Sequence, residues 1–272
     1  MLRLNISFNS FNVFNYFYIK NNQMNNSNQL PWKTEEEFYD LHAANVFKKD
    51  TFYHVNMIGK NEEENAKYLI GLLNLKPTDK VVDLGCGSGF LTNKISEICE
   101  CIGISTSKEC IKLAKKNYPN NTFEVGNMEN YHAKNVTHFT CLEAIGYSNI
   151  EKTLKNAYDS LKDGGIFFIK DTTLISHPSS EEKENIDYWE YYWKYYTYDV
   201  PTMISSAYKH GFKLIYFREI SQDSRLNMKP FMESLKDNLV IQNYPHPDIS
   251  VQIPTEFIFQ KKKREKWRNP YI

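Results

Sequence analysis

The chain has no continuous run of about 18 apolar residues, so nothing in it reads as a transmembrane helix. Its first twenty residues, Met1 to Lys20, lack the unbroken apolar core of a signal peptide, and they are too poor in arginine for a transit peptide. Net charge is also missing: 33 basic residues stand against 33 acidic ones. Nucleic-acid binders usually carry a clear positive field, so this balance gives no electrostatic reason to expect such a partner. Among Cys86, Cys99, Cys101, Cys110 and Cys141 there is no Cys-x-x-Cys pair, and an odd count argues against a secreted disulfide framework. Cys99 and Cys101 lack the nearby histidine that would make them half of a zinc site, so no metal is expected. There is no internal repeat. Together the absences describe reduced thiols in a cytoplasmic chain.

What remains is a length of 272 residues, enough for one α/β domain with insertions. Aromatics reach 15 % of the chain. Residues 1–31 read as an arm, with an asparagine-rich tract from Asn21 to Asn28, and 32–272 as the domain proper. Glu35 to Phe47 and Glu62 to Leu75 carry helical patterns, the second with Ala66, Leu69, Ile70 and Leu73 on one face and Pro77 as its stop. Lys80 to Gly85 then reads as a buried strand. Strand and helix alternate from there: strands at Cys101–Ile104, Thr122–Val125, His138–Leu142 and Gly165–Lys170, helices at Leu91–Ile98, Lys108–Asn117 and Ile150–Leu161. That alternation predicts a doubly wound α/β fold, a mostly parallel seven-stranded sheet with helices on both faces, closed by two strands near Phe217 and Thr255–Gln260.

The most informative stretch is Val81-Val-Asp-Leu-Gly-Cys-Gly-Ser-Gly-Phe90. Gly85, Gly87 and Gly89 follow a strand and open a helix, a turn that brings backbone close to a ligand at the carboxyl end of the sheet. The spacing is not the dinucleotide fingerprint Gly-x-Gly-x-x-Gly, and Asp83 precedes the first glycine. A carboxylate there suits a ligand with an ammonium group and repels a diphosphate. A plain structural turn is the other explanation for the same residues.

Asp83-Leu-Gly-Cys-Gly-Ser-Gly89 resembles the first motif of the class I S-adenosylmethionine-dependent methyltransferases, and the similarity runs from Glu62 to Phe217. Val125-Gly-Asn-Met-Glu-Asn130 falls where that family meets adenine, and Leu161-Lys-Asp-Gly-Gly-Ile166 resembles its turn into the fifth strand. The second strand ends in Gly103-Ile-Ser-Thr-Ser107 without the acid that many members use to grip the ribose. In this the chain is similar to the subgroup of cyclopropane fatty acid synthases and geranyl diphosphate C-methyltransferases. Those relatives often have glutamine where this chain has Cys110. The resemblance implies S-adenosyl-L-methionine as cofactor, held by Asp83, Gly85, Cys86, Gly87, Gly89 and Leu142, with Ser105 and Thr106 near the ribose and Asn127 and Met128 near the adenine. Met128 serves equally well as core.

Methyl transfer from a sulfonium asks mainly for in-line positioning, and for a base only when the nucleophile must lose a proton. Glu143 directly follows the fourth strand, and Leu142-Glu-Ala-Ile-Gly-Tyr147 matches the Glu-x-x-x-Tyr pattern of the C-methyltransferases. It is the candidate catalytic base, with cofactor orientation or a capping role as alternatives. An insertion at about 172–207 holds Trp189, Tyr192, Trp193 and Tyr196 at offsets i, i+3, i+4 and i+7. On a helix these form either an aromatic wall for a cationic or apolar acceptor or a stripe packed on the core. Tyr53 and Tyr147 complete the expected substrate pocket, with His54 as a lesser candidate base. The expected partner is a small-molecule methyl acceptor. Carbon methylation of an apolar or isoprenoid-like molecule, O- or N-methylation of a small metabolite, and an inactive binding protein all remain open.

Overall fold

A computed structural model describes residues 33–46, 62–174, 195–219 and 252–263, together with 180, 183, 186, 187 and 190. Apart from Lys33, all of these belong to the unit Thr34–Ile272. Its elements follow the alternation expected: α1 (Glu35–Val46), α2 (Glu62–Leu73), β1 (Lys80–Leu84), α3 (Phe90–Ser96), β2 (Glu100–Ser105), α4 (Lys108–Asn117), β3 (Thr122–Val125), β4 (Val136–Leu142), α5 (Ile150–Ser160), β5 (Leu161–Leu174), α6 (Val200–Lys209), β6 (Phe212–Glu219) and β7 (Gln252–Lys261). The seven strands form one sheet in the order β3-β2-β1-β4-β5-β7-β6. All neighbouring pairs from β3 to β5 are parallel, and β7 runs antiparallel to both β5 and β6. The chain is a doubly wound α/β fold with a Rossmann-like sheet.

Period-two alternation sorts the strands' apolar residues between two faces. Val82, Leu84, Ile104, Phe139, Phe167 and Phe257 pack on one side with Leu154 and Ala157 of α5 and Met203 and Ala207 of α6. Val81, Cys101, Phe168 and Ile258 pack on the other with Leu69 and Leu73 of α2 and Leu91 and Ile95 of α3. Phe90, Ile111, Ala114 and Phe123 continue that second side beneath α4. Each fully buried phenylalanine contributes roughly 2–3 kcal/mol by this transfer from water. The core thus holds the sheet rigid, so the carboxyl ends of its strands are fixed points.

Helix starts follow local sequence. Ser107, Asn149 and Asp199 cap α4, α5 and α6 by accepting from the backbone N–H of Cys110, Lys152 and Thr202, each such cap contributing about 1 kcal/mol. Helix α3 starts differently, at Gly89 in the left-handed region (φ 87°) with no side-chain cap. Strand order reverses between β1 and β4, and open α/β sheets bind their ligands at the carboxyl side of such a switch. Among the described residues no helix is long and apolar enough to cross a membrane.

Candidate active site

The loop after β1 is pinned from below. The amides of Gly85 and Cys86 both donate to the carbonyl of Ile104 at the end of β2, and Gly89 N–H closes on the carbonyl of Cys86. Gly85, Gly87 and Gly89 all have positive φ (75°, 53° and 87°), which is why side chains are excluded. Close ligand approach was the expected reason for all three; at two of them protein atoms already fill the space. A Cβ on Gly85 would lie 2.5 Å from the Ala144 methyl, and one on Gly89 2.6 Å from the Phe123 ring. Half-buried Gly87 is left as the loop's accessible bend.

Asp83 also departs from expectation. It is buried, and both carboxylate oxygens are engaged inside the protein, by the Thr92 hydroxyl of α3 (2.7 Å) and the Thr140 hydroxyl of β4 (2.8 Å). Burial pushes its pKa up to about 6, while the two hydroxyls pull it back. Asp83 therefore ties the loop's base to both neighbouring elements. Cys86 is buried against Phe90 and Phe123, and burial keeps its thiol protonated.

At the end of β2, Ser105 and Thr106 are half-buried on the rim. The Ser105 hydroxyl accepts from Ser107 N–H, and its carbonyl accepts from Gly126 N–H at the end of β3. Helix α1 lies against this corner. The Ser107 hydroxyl donates to Asp40 (2.5 Å), which also accepts from Glu109 N–H (3.2 Å). The next residue back, Tyr39, shares a 2.6 Å hydroxyl–hydroxyl bond with Tyr147 and packs edge-on against its ring. Two consecutive residues of α1 thus reach the exits of β2 and β4. After β3, exposed Asn127 accepts from Glu129 N–H. Met128 packs against the core while its carbonyl accepts from Asn156.

Charge gathers at the exit of β4. Glu143 takes a left-handed conformation (φ 49°), which costs a non-glycine residue about 1–2 kcal/mol. Its N–H donates to the carbonyl of Lys170 on β5 (2.8 Å) and so offsets the bend. Glu143 is half-buried; its Oε1 is shut away from water and has no hydrogen-bond partner in the protein. Burial raises its pKa to about 7, against the pull of the Lys170 ammonium and a Thr172 hydrogen bond. Beside it, Asp171 is buried and accepts from the N–H of Ile145, from Thr172 N–H and from the Tyr195 hydroxyl. Burial and the nearby Glu143 charge hold Asp171 well above the usual carboxylate range. Tyr147 meets the Tyr195 ring edge-on at 4.7 Å.

These contacts bring Glu143, Tyr147, the glycine loop, Ser105 and Thr106 to one edge of the sheet. Leu142 faces the core shared with α2 and α3. Tyr196 does not belong to a helical stripe: residues 195–198 are irregular, Tyr196 is exposed, and its ring lies on Tyr198. Buried Tyr195 takes the inward place instead. Tyr53, His54, Trp189, Tyr192 and Trp193 lie outside the described residues. Asp40, Lys170, Asp171 and Tyr195 escaped the sequence reading. Lys170-Asp171 at the end of the apolar run Ile166-Phe-Phe-Ile169 was the available signal, since charges that finish a buried strand need partners.

The edge fits a sulfonium nucleoside by its chemistry. It offers a half-buried, left-handed glycine backbone at Gly87, hydroxyls after β2, and a carboxyl with one oxygen to spare. Comparison with known proteins agrees. The profile of a family described as a methyltransferase domain matches residues 57–216. A probable cobalt-precorrin-6B C(15)-methyltransferase (decarboxylating) of Methanococcus vannielii is 32 % identical over 116 residues, covering 40 % of this chain and 63 % of that protein. A viral methyltransferase, 235L of Invertebrate iridescent virus 6, is 29 % identical over 127 residues, with 43 % and 47 % covered. The chain therefore spans about half to two thirds of these relatives' length. Among solved structures, the [4+2]-cyclase SpnF superposes with a TM-score of 0.66 at 13 % identity, covering 86 % of this chain and 98 % of that one. Geranyl diphosphate C-methyltransferase from Streptomyces coelicolor A3(2), bound to Mg2+, geranyl diphosphate and S-adenosyl-L-homocysteine, gives 0.64 at 12 %, covering 85 % and 100 %. At such identities the structures establish the shared fold.

Proposed function

The chain belongs to the methyltransferase domain family, whose members depend on S-adenosyl-L-methionine, and on that premise we propose that it methylates a carbon of a small apolar acceptor with Glu143 as the base. The observation that carries this reading is the Glu143 carboxyl at the end of β4, with one oxygen free of protein donors and a pKa near neutrality. A base of that kind matches its task best when it titrates near the working pH. Carbon methylation is in the names of two of the similar proteins, the precorrin C(15)-methyltransferase and the geranyl diphosphate C-methyltransferase.

In this reading the backbone of Gly85, Cys86, Gly87 and Gly89 takes the amino-acid portion of the cofactor, over the anchor made by Asp83. Ser105 and Thr106 take the ribose, and Asn127 and Met128 flank the adenine. Bound, the cofactor supplies an electrophilic methyl group and leaves as the neutral thioether. Glu143 accepts the acceptor's proton as the new carbon–carbon bond forms. Tyr147, held between Tyr39 and Tyr195, gives the acceptor an aromatic wall. The setting is cytoplasmic, and the acceptor is a small molecule rather than nucleic acid.

Incubation with methyl-labelled cofactor and a panel of apolar and isoprenoid acceptors, followed by NMR of the product, tests the reading. Label on carbon supports it. Label confined to oxygen or nitrogen replaces it with O- or N-methylation, and tight cofactor binding without transfer to any acceptor class overturns the activity itself.

A further inference from the structure

A row of charge crosses the sheet behind Glu143. Lys170 of β5 stands opposite Glu256 of β7, and Glu256 stands opposite Arg218 of β6. Lys170 and Glu256 are 4 % and 0 % exposed. Arg218 satisfies both oxygens of Glu256, through Nε and Nη2 at 3.0 Å each, and the Tyr68 hydroxyl of α2 adds a third bond at 3.1 Å. The Arg218 guanidinium lies over the Tyr68 ring, 4.9 Å from its centroid. Glu256 is thus neutralised and fully hydrogen-bonded without help. Lys170, 3.9 Å from it, is beyond hydrogen-bond range. Burying an ammonium is unfavourable unless its charge is used; Glu256 favours that charge most, and Glu143, fixed alongside by its N–H bond to the Lys170 carbonyl, favours it next.

We propose that Lys170 is a positioning residue for the transfer step: its ammonium, standing in the row with Glu256 and Arg218, is the counter-charge that favours the anionic form of Glu143 and so its ability to accept a proton. The inference rests on Glu143 being the base. The other groups facing Glu143 push the opposite way or are neutral: Asp171 on β5 is a second carboxyl, and the Cys141 thiol on β4 is kept protonated by burial. Burial pulls the Lys170 pKa below the usual lysine value; Glu256 and then Glu143 favour its charge against that pull, and Arg218 opposes it. Tyr216 shares a hydroxyl contact with Tyr68, whose ionisation burial suppresses. Lys170 is therefore the cation on the Glu143 side of the row.

The test compares wild type, Lys170→Met, Lys170→Arg and Glu256→Gln as full-length chains. Two readouts are followed against pH: kcat/KM, and the calorimetric affinity ratio of S-adenosylmethionine to S-adenosylhomocysteine, since an anionic Glu143 favours the sulfonium. Wild type should lose rate and sulfonium preference below about pH 7. Lys170→Met should move both limbs up by about one pH unit or more, and Lys170→Arg should bring them back toward wild type. Glu256→Gln, which frees the Lys170 and Arg218 charges, should move them down, and it decides the matter if Lys170→Met fails to fold. Unmoved limbs in either variant, or a uniform loss at all pH values, overturn the proposal. A wild type that binds neither nucleoside overturns the methyltransferase reading instead.

Discussion

On the β1–β3 side of the sheet, the polar groups at the carboxyl edge include backbone amides, hydroxyls and the buried carboxyl of Asp83, met on both oxygens by threonines. On the β4–β6 side they are charges: Lys170, Glu256 and Arg218 paired across strands, with Glu143 next to them. The first arrangement recognises shape and hydrogen-bond pattern, which suits a cofactor that is the same at every turnover. The second maintains a field, which suits the place where a proton and a positive charge change hands. If this division is correct, changes on the two sides should fail in different measurements.

The largest effect is expected at Glu143. Glu143→Gln should lower kcat by roughly 10²–10⁴-fold, the ordinary worth of a general base, while cofactor affinity stays within a small factor of wild type. Single-turnover kinetics and calorimetry separate the two. An equal loss in both would make Glu143 part of the nucleoside half and erase the distinction.

On the other side, Gly89→Ala attacks shape alone. The new methyl would sit 2.6 Å from the Phe123 ring and 3.0 Å from the Ala114 methyl, at φ 87°. Strain and overpacking together should cost about 2–4 kcal/mol in urea unfolding. Gly164 has a similar φ of 77°, and a methyl added there would meet nothing within 4 Å, so Gly164→Ala should cost only about 1 kcal/mol. Equal losses would mean that backbone conformation, not packing under the loop, is what the motif protects.

The same contrast explains what could be read from the chain before folding. Gly85, Gly87 and Gly89 lie within five residues of one another and Asp83 two residues before, so one window of sequence held the nucleoside half. The sheet was legible for a related reason, since Val81-Val82, Phe139 and Phe167-Phe168 repeat at strand period between helical stretches. The charge row was not, because its members stand at 143, 170, 218 and 256 and meet only through pairing of β4 with β5 and of β7 with β5 and β6. No local pattern marks Asp40 either; it matters because α1 rests on the start of α4. Tyr196 lies outside the helical stripe its spacing predicted, because spacing among aromatics does not fix a helix's extent and residues 195–198 are irregular.

Asp83 offers a smaller and pH-dependent test. Its carboxyl ionises near pH 6 in the folded chain and near 3.8 when unfolded. The folded state therefore holds the proton more tightly, and the stability from this group is complete below pH 3.8 and lost as pH rises through 6. Asp83→Asn keeps the shape and removes that loss. It should raise stability at pH 8 by about 1–3 kcal/mol, with the gain vanishing toward pH 4, as followed by thermal melts across pH. A pH-independent difference would mean that Asp83 is not buried as a lone charge, and that the β1–β3 side is less purely hydrogen-bonded than drawn.

The smallest effects should appear in α1, which touches both halves through adjacent residues. Tyr39→Phe removes one hydroxyl bond to Tyr147 and keeps the ring contact, so about 0.5–1 kcal/mol is expected. Asp40→Ala removes a carboxylate that accepts two hydrogen bonds at the start of α4, where the helix dipole favours negative charge, and should cost about 1–2 kcal/mol. Amide exchange along α1 distinguishes their routes. Asp40→Ala should also speed exchange at the first turn of α4, whereas Tyr39→Phe should leave that turn unchanged and loosen the Ile145–Tyr147 turn. If either substitution perturbed both turns equally, α1 would couple the cofactor side to the reaction side as one mechanical unit, and the two halves could not be treated as independent.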